Sequence, residues 1–123
     1  DEHPFENVAR LFELTRLIQK TAGDVPVIGN GYSWLRQFLA NAGAANLADG
    51  SCAMVGIGRQ GFAYPDAPKD IFEKGKMEPR KCCITCSKCT QIMRDHGRTG
   101  CVIRDSKVYL PLYKEARNNA SQH

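Results

Sequence analysis

Four cysteines define the chemistry open to this chain. Cys83, Cys86 and Cys89 follow one another as C-x2-C-x2-C, and Cys101 comes after eleven further residues. Three thiolates two residues apart can turn inward around one compact centre. A short excursion containing Gly97 and Gly100 can bring back a fourth. Iron–sulfur clusters take four cysteinates in this way, a close triplet with a more distant fourth ligand. Structural zinc more often uses two separated C-x2-C knuckles, so zinc is the second reading and free thiols the third. Three cysteines this close cannot all form local disulfides without strain.

Cys82 adjoins Cys83 and opens a competing register, Cys82-x3-Cys86-x2-Cys89, the spacing of radical S-adenosylmethionine enzymes. That register needs no fourth cysteine and normally follows an early strand, whereas here Cys101 is available and two apolar runs come first. Cys52 reads as a small core residue. His96 is a possible substitute for Cys101, set against the plainer reading of a solvated loop histidine. Charge follows the same segment: Arg59 to Lys107 holds eleven Lys/Arg against six Asp/Glu, and the rest of the chain six against seven. A nucleic-acid binder shows a denser basic face with stacking aromatics. A buried anionic centre explains the excess better, with Arg80, Lys81, Lys88, Arg94 and Arg98 as candidate cations or as solvated surface side chains.

Two glycine turns are the other chemical signal. Gly29-Asn30-Gly31 and Gly58-Arg59-Gln60-Gly61 each close an apolar run. A turn between a strand end and a helix start points free N–H groups at an anion, and Arg59 adds a fixed positive fork. Glycine at a strand exit is also an ordinary turn residue.

The elements that must carry these residues follow from periodicity. Phe5, Val8, Leu11, Phe12, Thr15 and Ile18 recur at helical spacing, with Pro4 at the entry and Gly23 at the exit. Val25–Ile28 and Ala53–Ile57 read as buried strands. Between them Ser33 is positioned to cap a helix running through Leu35, Phe38, Leu39, Ala42 and Leu47, with Gly43 as a break point. Strand, helix and strand over about thirty residues make a parallel βαβ unit. A further short helix is expected over Pro68–Lys74, and a polar, frayed tail over Lys114–His123.

Composition, 42% hydrophobic and 24% charged, is that of an ordinary globular segment of at most one domain, and the strand–helix–strand pattern makes its class α/β. There is no apolar run of membrane-spanning length, and the opening Asp1-Glu2-His3-Pro4 is not a secretory leader. Neither membrane nor nucleic acid is expected as a partner, and the expected location is cytoplasmic. Two parallel strands do not satisfy their own backbone groups, so a partner or a longer chain is expected to complete the sheet.

The runs Pro26-Val27-Ile28-Gly29-Asn30-Gly31, Met54-Val55-Gly56-Ile57-Gly58-Arg59 with Tyr64-Pro65-Asp66, and Cys83-Ile84-Thr85-Cys86-Ser87-Lys88-Cys89 with Cys101 occur in one characteristic order. In this the chain resembles the old yellow enzyme-like NADH:flavin oxidoreductases, in the branch of 2,4-dienoyl-CoA reductase and trimethylamine dehydrogenase. The resemblance covers about residues 5 to 110. It implies the C-terminal portion of a (β/α)8 barrel, strands seven and eight, followed by a cluster segment. Residues 1–75 would belong to the FMN-binding barrel, 76–110 to the [4Fe-4S] segment and 111–123 to a polar tail.

Carried over, Asn30, Gly31, Gly58 and Arg59 match the FMN-phosphate segments, and Cys83, Cys86, Cys89 and Cys101 the cluster ligands. The implied cofactors are FMN and a [4Fe-4S] cluster, with NAD(P)H as electron donor and a small molecule as substrate. The cysteine spacing falls between the patterns of the two named enzymes, which leaves the substrate open. The catalytic residues would lie in an N-terminal barrel portion, on the same chain or a separate subunit, so this chain alone is expected to be inactive. On this reading the cysteines hold their cluster independently of the phosphate loops. The competing function is a non-catalytic iron–sulfur or zinc module, an electron carrier or adaptor, whose sheet would complete itself within these residues.

Overall fold

Pro4, its φ already helical, opens the first helix, α1 (Pro4–Ala22), and the His3 Nδ1 accepts a hydrogen bond from the Phe5 N–H at 3.2 Å. Gly23 ends it at φ 60°. The computed structural model describes residues 2–121. The expected apolar stripe forms, but only Val8 and Thr15 are buried; Leu14, Leu17 and Ile18 are exposed.

The βαβ expectation holds. Strand β1 (Ile28–Gly29) pairs in parallel with β2 (Met54–Val55), in the register Ile28 to Met54 and Gly29 to Val55. Val27 O and Gly29 O extend the ladder by accepting from Ala53 N at 2.9 Å and Gly56 N at 2.7 Å. The paired segments are shorter than the apolar runs, because Val25 stays exposed and Pro26 has no N–H to give a ladder. Ile28 and Met54 are 51% and 47% exposed, so the sheet does not complete itself among the described residues.

The connection differs from expectation. Ser33 caps no helix. Residues Tyr32–Phe38 form a tight 3-10 segment entered at Gly31, with Arg36 at φ 50° interrupting it, and α2 (Leu39–Ala48) begins only afterwards. The Ser33 Oγ accepts instead from the Gln60 N–H, a bond to the second glycine turn. Gly43 does not break α2; it lies against Val55 and lets the helix approach the sheet.

Helices α3 (Arg59–Ala63) and α4 (Ala67–Lys74) follow, the second matching its expected span. Tyr32, Leu39, Tyr64, Ala67, Met77 and Cys82 form the main core beneath them. The Tyr64 hydroxyl donates to Asp70, and Lys74 Nζ binds the same carboxylate at 2.6 Å. Those contacts, that of Lys74 foremost, hold the Asp70 carboxyl down at about 2. Lys81 Nζ also reaches Asp70, at 3.5 Å, and thereby ties the approach to the cysteines back to α4.

The C-terminal region is the second departure. Helix α5 (Lys88–Arg94) packs on α6 (Ser106–Ala120) around Ile92, Val102 and Ala116. The expected frayed tail is therefore largely helix, because Tyr109, Leu110, Tyr113 and Ala116 share one face; Gln122 and His123 lie outside the described residues. Helix α6 also crosses the expected boundary between residues 110 and 111. Among the described residues no helix is long and apolar enough to cross a membrane.

Candidate metal centre and anion cleft

Thr85 and Ser87, at φ 57° and 58°, are non-glycine residues in the left-handed region. That conformation costs about 1–2 kcal/mol per residue and persists only where surroundings enforce it. Here it reverses the chain twice between Cys83 and Cys89. The two turns aim the three cysteines of the triplet at one hollow. The segment after α5 returns Cys101 to the same place. An added Cβ on Gly100 would stand 2.2 Å from the Tyr109 ring, so only glycine lets this return pass so close beneath α6.

Cys83, Cys86, Cys89 and Cys101 all line this small enclosed hollow, with Arg59, Ser87 and Arg104 in its wall. Cys83 and Cys89 are buried, Cys101 half-buried and Cys86 exposed at the rim. Cys82 does not line it. Its side chain is buried in the main core against Tyr32, Leu39 and Tyr64, which leaves the competing cysteine register without its first thiol. Cys52 is buried beside the Tyr32 hydroxyl, as a core residue should be, and His96 is exposed and outside the hollow.

Two backbone N–H groups donate to these sulfurs: Thr85 to Cys83 Sγ and Arg104 to Cys101 Sγ, each at 3.3 Å. Burial pushes the Cys83 thiol up. The Thr85 N–H and the Arg59 charge oppose that shift, while neighbouring Cys89 and Cys101 add to it. No three His, Cys, Asp or Glu side chains among the described residues converge on a point suited to a single metal ion. Four thiolates on one zinc, at about 2.3 Å each, must lie within about 4 Å of one another. A four-iron cluster spreads its thiolates wider, one to each iron. Both donor sets call on four thiolates, and all four cysteines line this hollow. The hollow holds only about 20 Å³ of free space, so a cluster would move the exposed Cys86 outward.

The surrounding cations are not those the charge count suggested. Lys81 is engaged with Asp70 and Glu78, and Lys88 lies over the Tyr113 ring. Arg104 was not singled out by sequence. Its Nε and Nη2 donate to the Cys82 carbonyl at 3.1 and 2.8 Å while its own N–H serves Cys101, clasping the two ends of the cysteine segment together. Its position three residues after the last cysteine was the one available signal.

The glycine turns converge as expected. Asn30, Gly31, Gly58 and Arg59 line one cleft of about 380 Å³, completed by Ser33, Trp34 and the α1 residues Asn7, Val8 and Leu11. Gly31, at φ 94°, makes the turn, and Leu11 packs where its Cβ would be. Asn30 faces its own strand, its Nδ2 donating to Ile28 O at 3.3 Å. Gly58 leaves the cleft floor open, with no atom within 4 Å of an added Cβ. A cation, an open glycine turn and an aromatic wall suit an anionic group such as a phosphate monoester.

The two sites adjoin. Arg59 lines both the cleft and the cysteine hollow. Its Nη1 donates to Ser87 Oγ at 3.1 Å, between Cys86 and Cys89, and its guanidinium lies 5.6 Å from the Trp34 ring centre. Comparison with protein-family models, curated proteins and solved structures returns no match for this chain.

Proposed function

We propose that this chain is the C-terminal part of the barrel of an FMN- and [4Fe-4S]-dependent NAD(P)H:flavin oxidoreductase of the old yellow enzyme-like class. The observation that carries this reading is the convergence of two separate residue sets on adjoining sites. Four cysteines share one hollow, the two strand-exit loops share one cleft, and both abut Arg59. The parallel β1–β2 pair with its exposed outer residues supports a piece of a larger parallel sheet over a self-contained module.

Bound here, FMN would supply hydride exchange and the cluster single-electron transfer. The chain's own residues hold and tune. Cys83, Cys86, Cys89 and Cys101 are the cluster ligands. The Thr85 and Arg104 N–H groups stabilise negative charge on two of the sulfurs, a contact that raises a cluster's reduction potential. Burial of Cys83 and Cys89 keeps water from half of the ligand set. Arg59 and the Gly31 and Gly58 turns receive the flavin phosphate. Substrate contacts and the proton donor belong to the N-terminal barrel portion.

Anaerobic reconstitution with iron and sulfide tests the reading directly. Brown protein with about four irons and four labile sulfides per chain is expected, and Cys86→Ser should lose them while Cys52→Ser keeps them. Stoichiometric zinc without labile sulfide would overturn it.

A further inference from the structure

Arg59 and Gln60 are consecutive residues at the start of α3, and between them they touch both sites. Arg59 reaches Ser87 Oγ at 3.1 Å while its guanidinium covers Trp34 in the cleft wall. Gln60 is fully buried. Its N–H donates to Ser33 Oγ, another residue of the cleft wall, at 3.2 Å, and its Oε1 accepts from the N–H of Cys83 at 3.0 Å. Its Nε2 makes no hydrogen bond to nitrogen or oxygen, and the Gln60 amide faces the Cys82 thiol. Both cysteine-side anchors belong to the doubly reversed turn: Ser87 is itself left-handed, and Cys83 begins the segment.

The same turn carries the cysteines, so a shift of Cys83, Cys86 or Cys89 moves the Ser87 hydroxyl and the Cys83 N–H, the contacts that aim Arg59 and seat Gln60. We infer that Arg59 and Gln60 couple the two sites, so that cluster loading of the cysteines and occupation of the glycine cleft by a phosphate monoester reinforce each other. The inference rests on the function proposed above and adds to it that each site binds its ligand more tightly when the other is filled. Linkage requires the effect to be reciprocal, since a factor gained by one ligand from the other is returned in full.

The test is the rate at which the complete, cluster-loaded protein yields iron to a chelator, with and without saturating FMN. FMN should slow release by about fivefold or more, within the range of ordinary couplings between sites. Riboflavin, which lacks the phosphate, should protect little. Ser87→Ala retains all four thiols and the guanidinium but removes the hydrogen bond from Arg59 to the turn, and in that variant the protection by FMN should fall, the remainder being carried by Gln60. Loss of the cluster should in turn weaken FMN binding, because the coupling of equilibrium affinities runs both ways. Equal release rates with and without FMN, in protein that binds both, would overturn the coupling and leave the proposed function standing. Equal protection by riboflavin would also overturn it. Protein that takes up neither cluster nor FMN would overturn the proposed function and the coupling with it.

Discussion

Arg104 acts from one position on two ends of a loop. Its guanidinium grips the Cys82 carbonyl and its backbone N–H meets the Cys101 sulfur, so the segments bearing the first and fourth thiols are fixed relative to each other. Arg104→Ala should cost about 1–2 kcal/mol of local stability, the value of charge-assisted bonds at a partly exposed site. Faster amide exchange over Cys83–Thr85 and faster iron loss would report it. Lysine should rescue poorly, since it cannot present two donors in a fixed fork. The grouping of the four cysteines was legible in the sequence because their spacing is a local property of the chain. Arg104 was not, because eleven Lys/Arg lie between Arg59 and Lys107 and nothing local says which one folds inward. The same reason hid the two roles of Arg59, whose contact with Ser87 spans twenty-eight positions.

At the scale of elements, the Gly97–Gly100 excursion shows how packing decides a ligand's place. Gly100→Ala would put a methyl group into the Tyr109 ring, so the return strand or the start of α6 must move. Overpacking of this kind costs about 1–3 kcal/mol. Its mark should be a lowered melting temperature together with reduced cluster occupancy in wild-type sequence otherwise, because Cys101 lies next to the displaced residue. The parallel βαβ unit was readable from two apolar runs and the length between them. Its connection was not: Gly31 at φ 94° tightens the chain so abruptly that Ser33 is spent on Gln60 and the helix starts six residues later. Helix α6 was also hidden. Pro111 sits inside it and removes one backbone donor, which makes a helical stretch read as a break, yet Tyr113 and Ala116 beyond it supply the face that packs on α5.

For the whole molecule, the decisive quantity is the apolar surface left over. Phe72 is 91% exposed, and Leu17, Ile28 and Met54 are at least half-exposed or nearly so, on α4, α1 and both strands. A chain with this much uncovered surface and a two-stranded sheet should not behave as a stable monomer alone. Expression of these residues by themselves should give a broad, weakly cooperative melt, and co-expression with an N-terminal barrel segment should retain it in a complex. A sharp melt of monodisperse monomer would count against the split-barrel reading. The two cores described above carry a further consequence. One is built from Tyr32, Tyr64, Met77, Cys82 and residues of α2 and α4; the other from α5, α6 and Val102 between them, and the cysteine hollow with the Arg104 clasp sits at the seam. The sulfur site is thus a buckle: on the proposed function, loss of its cluster would unfasten the α5–α6 hairpin as a unit, and limited proteolysis would read this as new cuts between Cys89 and Cys101.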